Sequence, residues 1–483
     1  MRLITLCLTL FIVFFSCSKD KDKPSPDTGI PPPLPPGVEP RIPKPAPNIP
    51  GSVSFARFES DKLDFLGQVN ANDRLNTRFL SVCEQFNEGN KVEPFINAVN
   101  KTLNSISIER DIALSRSTGL TGCVCAIDLR DYGITISEWN LIVQENPFKR
   151  TFESFTSRGI LIKQLTQTRQ DWLPAHVFSF TAFDANVYPW LLDLPTTLSD
   201  LQIFLGIDTL QDNFDQEDRE TYLFGMTRSP IAIGKPRMAL RTTSRDGFYY
   251  QTYDVVTGNV GLRDKNIFQS PFPVEARSQN TINPDGVEVI FSLPNRMLGF
   301  FLADAAGNRQ NFAPLDLVVD TEASALALDP TIRYLSCNRC HSQGIIERSD
   351  EIFAKVRNDN SFNNFDVQKS AFWHGRPAGL SAAVRQDNQI FYNSLQGINI
   401  GSNEPDFVNL YTDRLRQESD INQLAALMFI NPQEFDSKLR GTVASINEIG
   451  AVLNGDKVSF DQIQRTLQLF VFEANIFRDD FGE

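Results

Sequence analysis

Within the stretch "YLSCNRCHSQG", residues 334–344, three side chains have the types and spacing for covalent haem chemistry. Cys337, Cys340 and His341 form C-x-x-C-H, the attachment pattern of c-type haem. Positions i, i+3 and i+4 share one face of a helical turn, so two thiols can meet two vinyl groups while the imidazole points at the iron. The pattern predicts one covalent haem c, with thioethers at Cys337 and Cys340 and His341 as the proximal iron ligand. Rival readings of these residues are a zinc site, a redox-active dithiol and a plain disulfide. Structural zinc commonly takes a second pair of ligands at similar spacing, and the sequence has no second C-x-x-C. A dithiol leaves the adjacent histidine unexplained.

The sixth position on the iron has two downstream candidates, His374 in "SAFWHGRPAG" and Met428 in "SDINQLAALMFINPQEF". An upstream ligand and an open position are the alternatives. A methionine would raise the reduction potential, and an open position would admit small ligands. The second ring nitrogen of His341 calls for a backbone carbonyl or carboxylate, which the sequence does not identify. Trp373, Arg376, Arg339 and Arg348 lie near in sequence as donors to haem propionates, and each is expected to sit in solvent instead.

The elements around the motif read as helices. Apolar residues recur near helical spacing in "ERSDEIFAKVRND", "PAGLSAAVRQDNQIFYNSL", "EPDFVNLYTDRLRQE" and "SDINQLAALMFI". "NPQEFDSKLRG" has Asn431 as cap, Pro432 at the first helical position and Gly441 as stop, and Ser459 with Gln462 opens a further helix. Residues 321–483 are therefore expected to form an all-α cytochrome c-like domain. Residues 51–320 read as α+β. Helices are expected in "SFARFESDKLDFL", "DRLNTRFLSVCEQFNEG" and "EPFINAVNKTLNSIS", followed by strands in "CVCAIDLRDYG" and "GFYYQTYDVV" and a hairpin in "GVEVIFSLPNRMLGFFLADAAGN". The 38 phenylalanines fit a large aromatic core.

Compartment decides which cysteine chemistry is open to the chain. Arg2 precedes an apolar run, Leu3 to Phe15, too short to span a bilayer, so residues 1–17 read as an export signal. "FFSC" at its end resembles a lipobox and predicts lipidation of Cys17, which would anchor the chain to a bacterial membrane, the outer membrane favoured, facing the periplasm or the cell surface. Residues 18–50 form a tether, for 12 of the 28 prolines fall between Pro24 and Pro50. In polyproline II form such a segment reaches up to ~100 Å. In an oxidising compartment Cys83 can pair with Cys123 or Cys125, which share one face of a strand, and three separate buried thiols are the alternative.

A formal charge of −13 argues against a nucleic-acid partner. The sequence has no G-x-S-x-G, H-E-x-x-H, phosphate loop or dinucleotide fingerprint, so no catalytic residues are assigned. The pieces "CAIDLRDYGI", "FSLPNRMLGFFLADAAGNR" and "YLSCNRCHSQGII", in that order, resemble a functionally unassigned family of exported bacterial proteins with a single C-x-x-C-H in the C-terminal third. The resemblance runs from about residue 70 to the end and implies haem at Cys337, Cys340 and His341, but supplies no activity. Three functions remain open. The first is a tethered electron carrier that meets a redox partner protein in the envelope. The second is a haem oxidoreductase or gas sensor using residues 51–320 as a substrate domain, and the third is a structural lipoprotein stabilised by haem.

Overall fold

The computed structural model describes residues 53–427, apart from 88–89, 120, 149–151, 155, 209, 228, 230–234, 257–258, 260, 327–328, 402–403 and 417–418, and also positions 436, 452 and 454–458. Cys17, the proline tether, Met428, the helix expected from Ser459 and nearly all of "NPQEFDSKLRG" lie outside the described residues.

Two sheets organise the chain. The first has four strands in the order β2-β3-β1-β4: β1 (Thr77–Ser81), β2 (Arg116–Thr118), β3 (Val124–Asp128) and β4 (Trp172–Pro174). Both pairings of β3 are antiparallel, whereas β1 and β4 run parallel. All of β1 is buried, because Phe79 faces Phe65 of helix α1 (Phe55–Gln68) while Arg78 on the other face lies against Trp139. A strand covered on both faces shows no polar alternation, which is why "DRLNTRFLSVCEQFNEG" reads as a helix in sequence and folds as a strand with short helical ends.

The second sheet is an antiparallel meander of β5 (Tyr222–Met226), β6 (Arg237–Ser244), β7 (Gly247–Tyr253), β8 (Gly286–Ser292) and β9 (Leu298–Asp304). The last two strands are the hairpin expected in sequence. Arg296 takes a positive φ of 70° in its turn, and Leu293 N–H donates to Met297 O at 2.8 Å.

Among the described residues, the separate all-α cytochrome c-like domain expected beyond residue 320 does not form. The described residues belong to one compact unit, 42–483, with mixed α and β content. One apolar cluster runs from Phe58 and Phe79 through the second sheet to Tyr334, Trp373, Val384, Phe391 and Tyr411. Helical periodicity reports the type of an element and not what covers its apolar face. Here the covering surfaces are the sheets and the earlier helices. Gly225 of β5 makes room for Ile352, since a Cβ there would lie 2.3 Å from the Ile352 Cδ1.

Helix α2 (Glu93–Ser105) and helix α3 (Ala175–Ala182) form a bed for a helix late in the chain, α7 (Phe407–Arg416). Two further ties are ionic. Lys101 of α2 reaches Asp406 at 2.8 Å, and Asp387 of helix α6 (Pro377–Gly397) takes a two-pronged hydrogen bond from Arg241 of β6, at 3.0 and 2.7 Å.

Candidate functional site

Helix α4 (Tyr334–Cys340) carries the motif, and its placement follows from the residues between and before the cysteines. Tyr334 is fully buried, stacked on Tyr188 with ring centres 4.6 Å apart, and its hydroxyl donates to Gln310 O at 3.3 Å. Arg339, at the second variable position, is buried in an ion pair with Asp413 of α7 and lies 3.3 Å from Asp320. With these anchors in place, Cys337 and Cys340 are half-buried, and Cys337, one turn on from Tyr334, shares its side of the helix. Cys337 packs against a small apolar cluster of Ala313, Leu317, Val318 and Ile332. Burial, reinforced by the charge of Glu288, pushes its thiol pKa well above the usual value.

His341 caps the helix, its N–H donating to Cys337 O at 3.0 Å. Its ring Nδ1 lies 3.1 Å from Gly344 O. A carbonyl only accepts, so Nδ1 carries the proton and Nε2 keeps its lone pair. No hydrogen bond engages Nε2 among the described residues. Desolvation lowers the imidazole pKa to about 4, so the ring is neutral at physiological pH, as metal ligation requires. This is the second-atom partner that metal-ligating histidines ordinarily have, here a backbone carbonyl three residues on. A glycine three residues after the histidine is its only trace in the sequence.

Neither Cys337 nor Cys340 is in a disulfide, and among the described residues no three His, Cys, Asp or Glu side chains converge as ligands of one ion. Zinc requires such convergence. Haem does not, because its two vinyl groups and its iron are separate points on a wide ring. The donor set and the neutral, Nδ1-protonated imidazole are compatible with a c-type haem. Behind the apolar residues that pack on Cys337 is a small cleft of ≈80 Å³, lined by Leu302, Phe312, Leu317 and Val318 and by the acids Asp254, Asp285, Glu288 and Asp304, with none of the three motif residues in its wall. Phe312, in the wall of this cleft, is 54% exposed. Glu288 is held by Arg237 at 2.6 Å, and Arg237 is also paired with Asp254.

The remaining sequence candidates fall elsewhere. His374 is buried with both ring nitrogens engaged, Nδ1 with Asp350 at 3.2 Å and Nε2 with Pro271 O at 3.0 Å, so neither is left for iron. Met428 lies outside the described residues. Trp373, at the end of helix α5 (Asn364–Trp373), and Arg339 are buried rather than in solvent, the tryptophan against Phe214 and Phe272 and the arginine in its ion pair. An upstream histidine, His176, holds Glu84 through Nδ1 at 3.1 Å, and the same carboxylate accepts from Tyr411 at 2.6 Å.

Cys83 is bonded to Cys123, with Cα atoms 4.8 Å apart, and Cys125 is a fully buried thiol whose pKa desolvation raises to about 12. Alkylation of the folded chain under non-reducing conditions is therefore expected to spare Cys125 until denaturant is added. Peptide mapping that found it labelled in the native protein would contradict this packing.

Among the described residues no helix is long and apolar enough to cross a membrane. Comparison with family models, with curated proteins and with solved structures finds no match to the chain.

Proposed function

We propose that the chain is an exported, lipid-anchored protein that carries one covalent haem c and passes single electrons in the cell envelope. The observation that carries this reading is the His341 ring, protonated on Nδ1 by its bond to Gly344 O and with no hydrogen bond at Nε2 among the described residues, at the end of the helix that carries the two cysteines. The Cys83–Cys123 disulfide supports an oxidising compartment.

When bound, haem supplies a one-electron iron couple. The chain's own residues do the rest. Cys337 and Cys340 would hold the ring to the helix, and His341, with its proton held at Nδ1 by Gly344 O, would offer Nε2 to the iron. Leu302, Leu317 and Val318 exclude water from one side of the cleft. The Arg237–Asp254–Glu288 group sets the local field. Cys17 would supply the lipid and the proline-rich segment the reach towards a redox partner.

His374, having no ring nitrogen to offer, favours a second reading in which the sixth position admits a small ligand and the protein acts as a sensor or oxidoreductase. The test is to export the full chain from a host with active c-type maturation and record its pyridine haemochrome, mass and ferrous spectrum. One covalent haem per chain, with a low-spin spectrum indifferent to carbon monoxide, is expected for the carrier. A high-spin spectrum that shifts with carbon monoxide selects the second reading, and unmodified thiols at both cysteines overturn both.

A further inference from the structure

The carbonyl that orients His341 belongs to a loop with an unusual fastening. Gly344 sits at φ +100°, its N–H donates to His341 O at 3.0 Å, and its own oxygen takes the His341 Nδ1 proton. The next residue, Ile345, is gripped on both backbone groups by one side chain. Asn388 Oδ1 accepts from Ile345 N–H at 2.7 Å, and Asn388 Nδ2 donates to Ile345 O at 2.9 Å. The amide fits only because residue 344 has no side chain, since a Cβ there would lie 2.3 Å from Asn388 Oδ1. Asn388 in turn stands on α6 directly after Asp387, which Arg241 and Tyr250 fix to the second sheet. Lys101 adds a weaker hold at Ser342 O, 3.3 Å away.

We infer that Asn388 is a positioning residue for the proximal imidazole, setting its tautomer and ring orientation through Ile345 and the Gly344 carbonyl. The inference rests on the haem reading above for its functional meaning, but the tautomer itself is a property of the chain without haem. A carbonyl bond to Nδ1–H makes a ligating imidazole more basic. Loosening the loop therefore weakens the iron–histidine bond and raises the reduction potential.

The test uses the exported full chain with Asn388→Ala, with the near-isosteric Asn388→Asp, and with Ser394→Ala as control. Ser394 lies on the same helix and loses a buried hydrogen bond to Asn295 O (2.9 Å) without touching the loop. Expected are an upward shift of potential and a lowered iron–histidine stretching frequency in Asn388→Ala, a smaller change in Asn388→Asp, which keeps the acceptor for Ile345 N–H, and none in the control.

Nitrogen-15 spectra of His341 in chain expressed without haem attachment give a second readout. The wild type is expected to show the Nδ1–H tautomer alone, and Asn388→Asp a mixture. Unchanged tautomer and potential in both variants, or equal shifts in the control, would overturn the positioning role. A wild type that is exported under active c-type maturation and carries no haem, while its His341 tautomer still depends on Asn388, would sink the haem reading and leave the positioning role standing.

Discussion

Serine at both 337 and 340 is expected to yield an exported chain of unmodified mass with its fold intact. The helix does not depend on the sulfurs for its position, because Tyr334 stacks on Tyr188 and Arg339 is paired with Asp413. Loss of haem should therefore be complete while the circular dichroism changes little. Either single substitution leaves one thioether and shifts the pyridine haemochrome band. His341→Ala keeps both thioethers and changes the spin state instead, since the imidazole contributes ligation and not attachment. Mass spectrometry of the four proteins separates these outcomes, and haem still bound covalently to the double serine variant would refute the assignment.

The largest loss of stability is expected from Arg241→Met. Arg241 and Asp387 are 3% and 2% exposed, and Tyr250 donates to the same carboxylate at 2.6 Å. Removing the cation leaves a buried carboxylate facing a phenol, at a cost of about 3–5 kcal/mol. Replacing both partners, Arg241→Met with Asp387→Leu, is expected to recover most of that loss, because two buried charges then leave together. Denaturant titration of the single and double variants measures the difference. If the single variant lost less than about 1 kcal/mol, the value expected of an exposed pair, the tie between β6 and α6 would not be what joins sheet to helix.

What the sequence made legible was local. The motif helix, the hairpin around "LPNR" and the long helix opened by Pro377 follow from spacing, turn chemistry and first-turn proline, all of which act over a few residues. The partners of those elements were not legible. Helical periodicity in "PAGLSAAVRQDNQIFYNSL" gave no sign that Asp387 would meet Arg241, 146 positions earlier, instead of water. Strand β1 was hidden because burial on both faces erases the alternation that marks a strand. At the site, the three motif residues were readable from spacing. The Gly344 carbonyl and Asn388 were not, for a backbone acceptor has no residue type and an asparagine on a helix is ordinarily a surface residue.

The packing of Cys337 between two apolar clusters has a consequence for biogenesis. Desolvation favours the protonated thiol, so this half-buried side chain presents less thiolate to a vinyl carbon than an exposed cysteine would. If haem is attached here as proposed, attachment before the polypeptide collapses around Cys337 is favoured, so a host that folds the chain quickly and matures it slowly is expected to accumulate more of a colourless product.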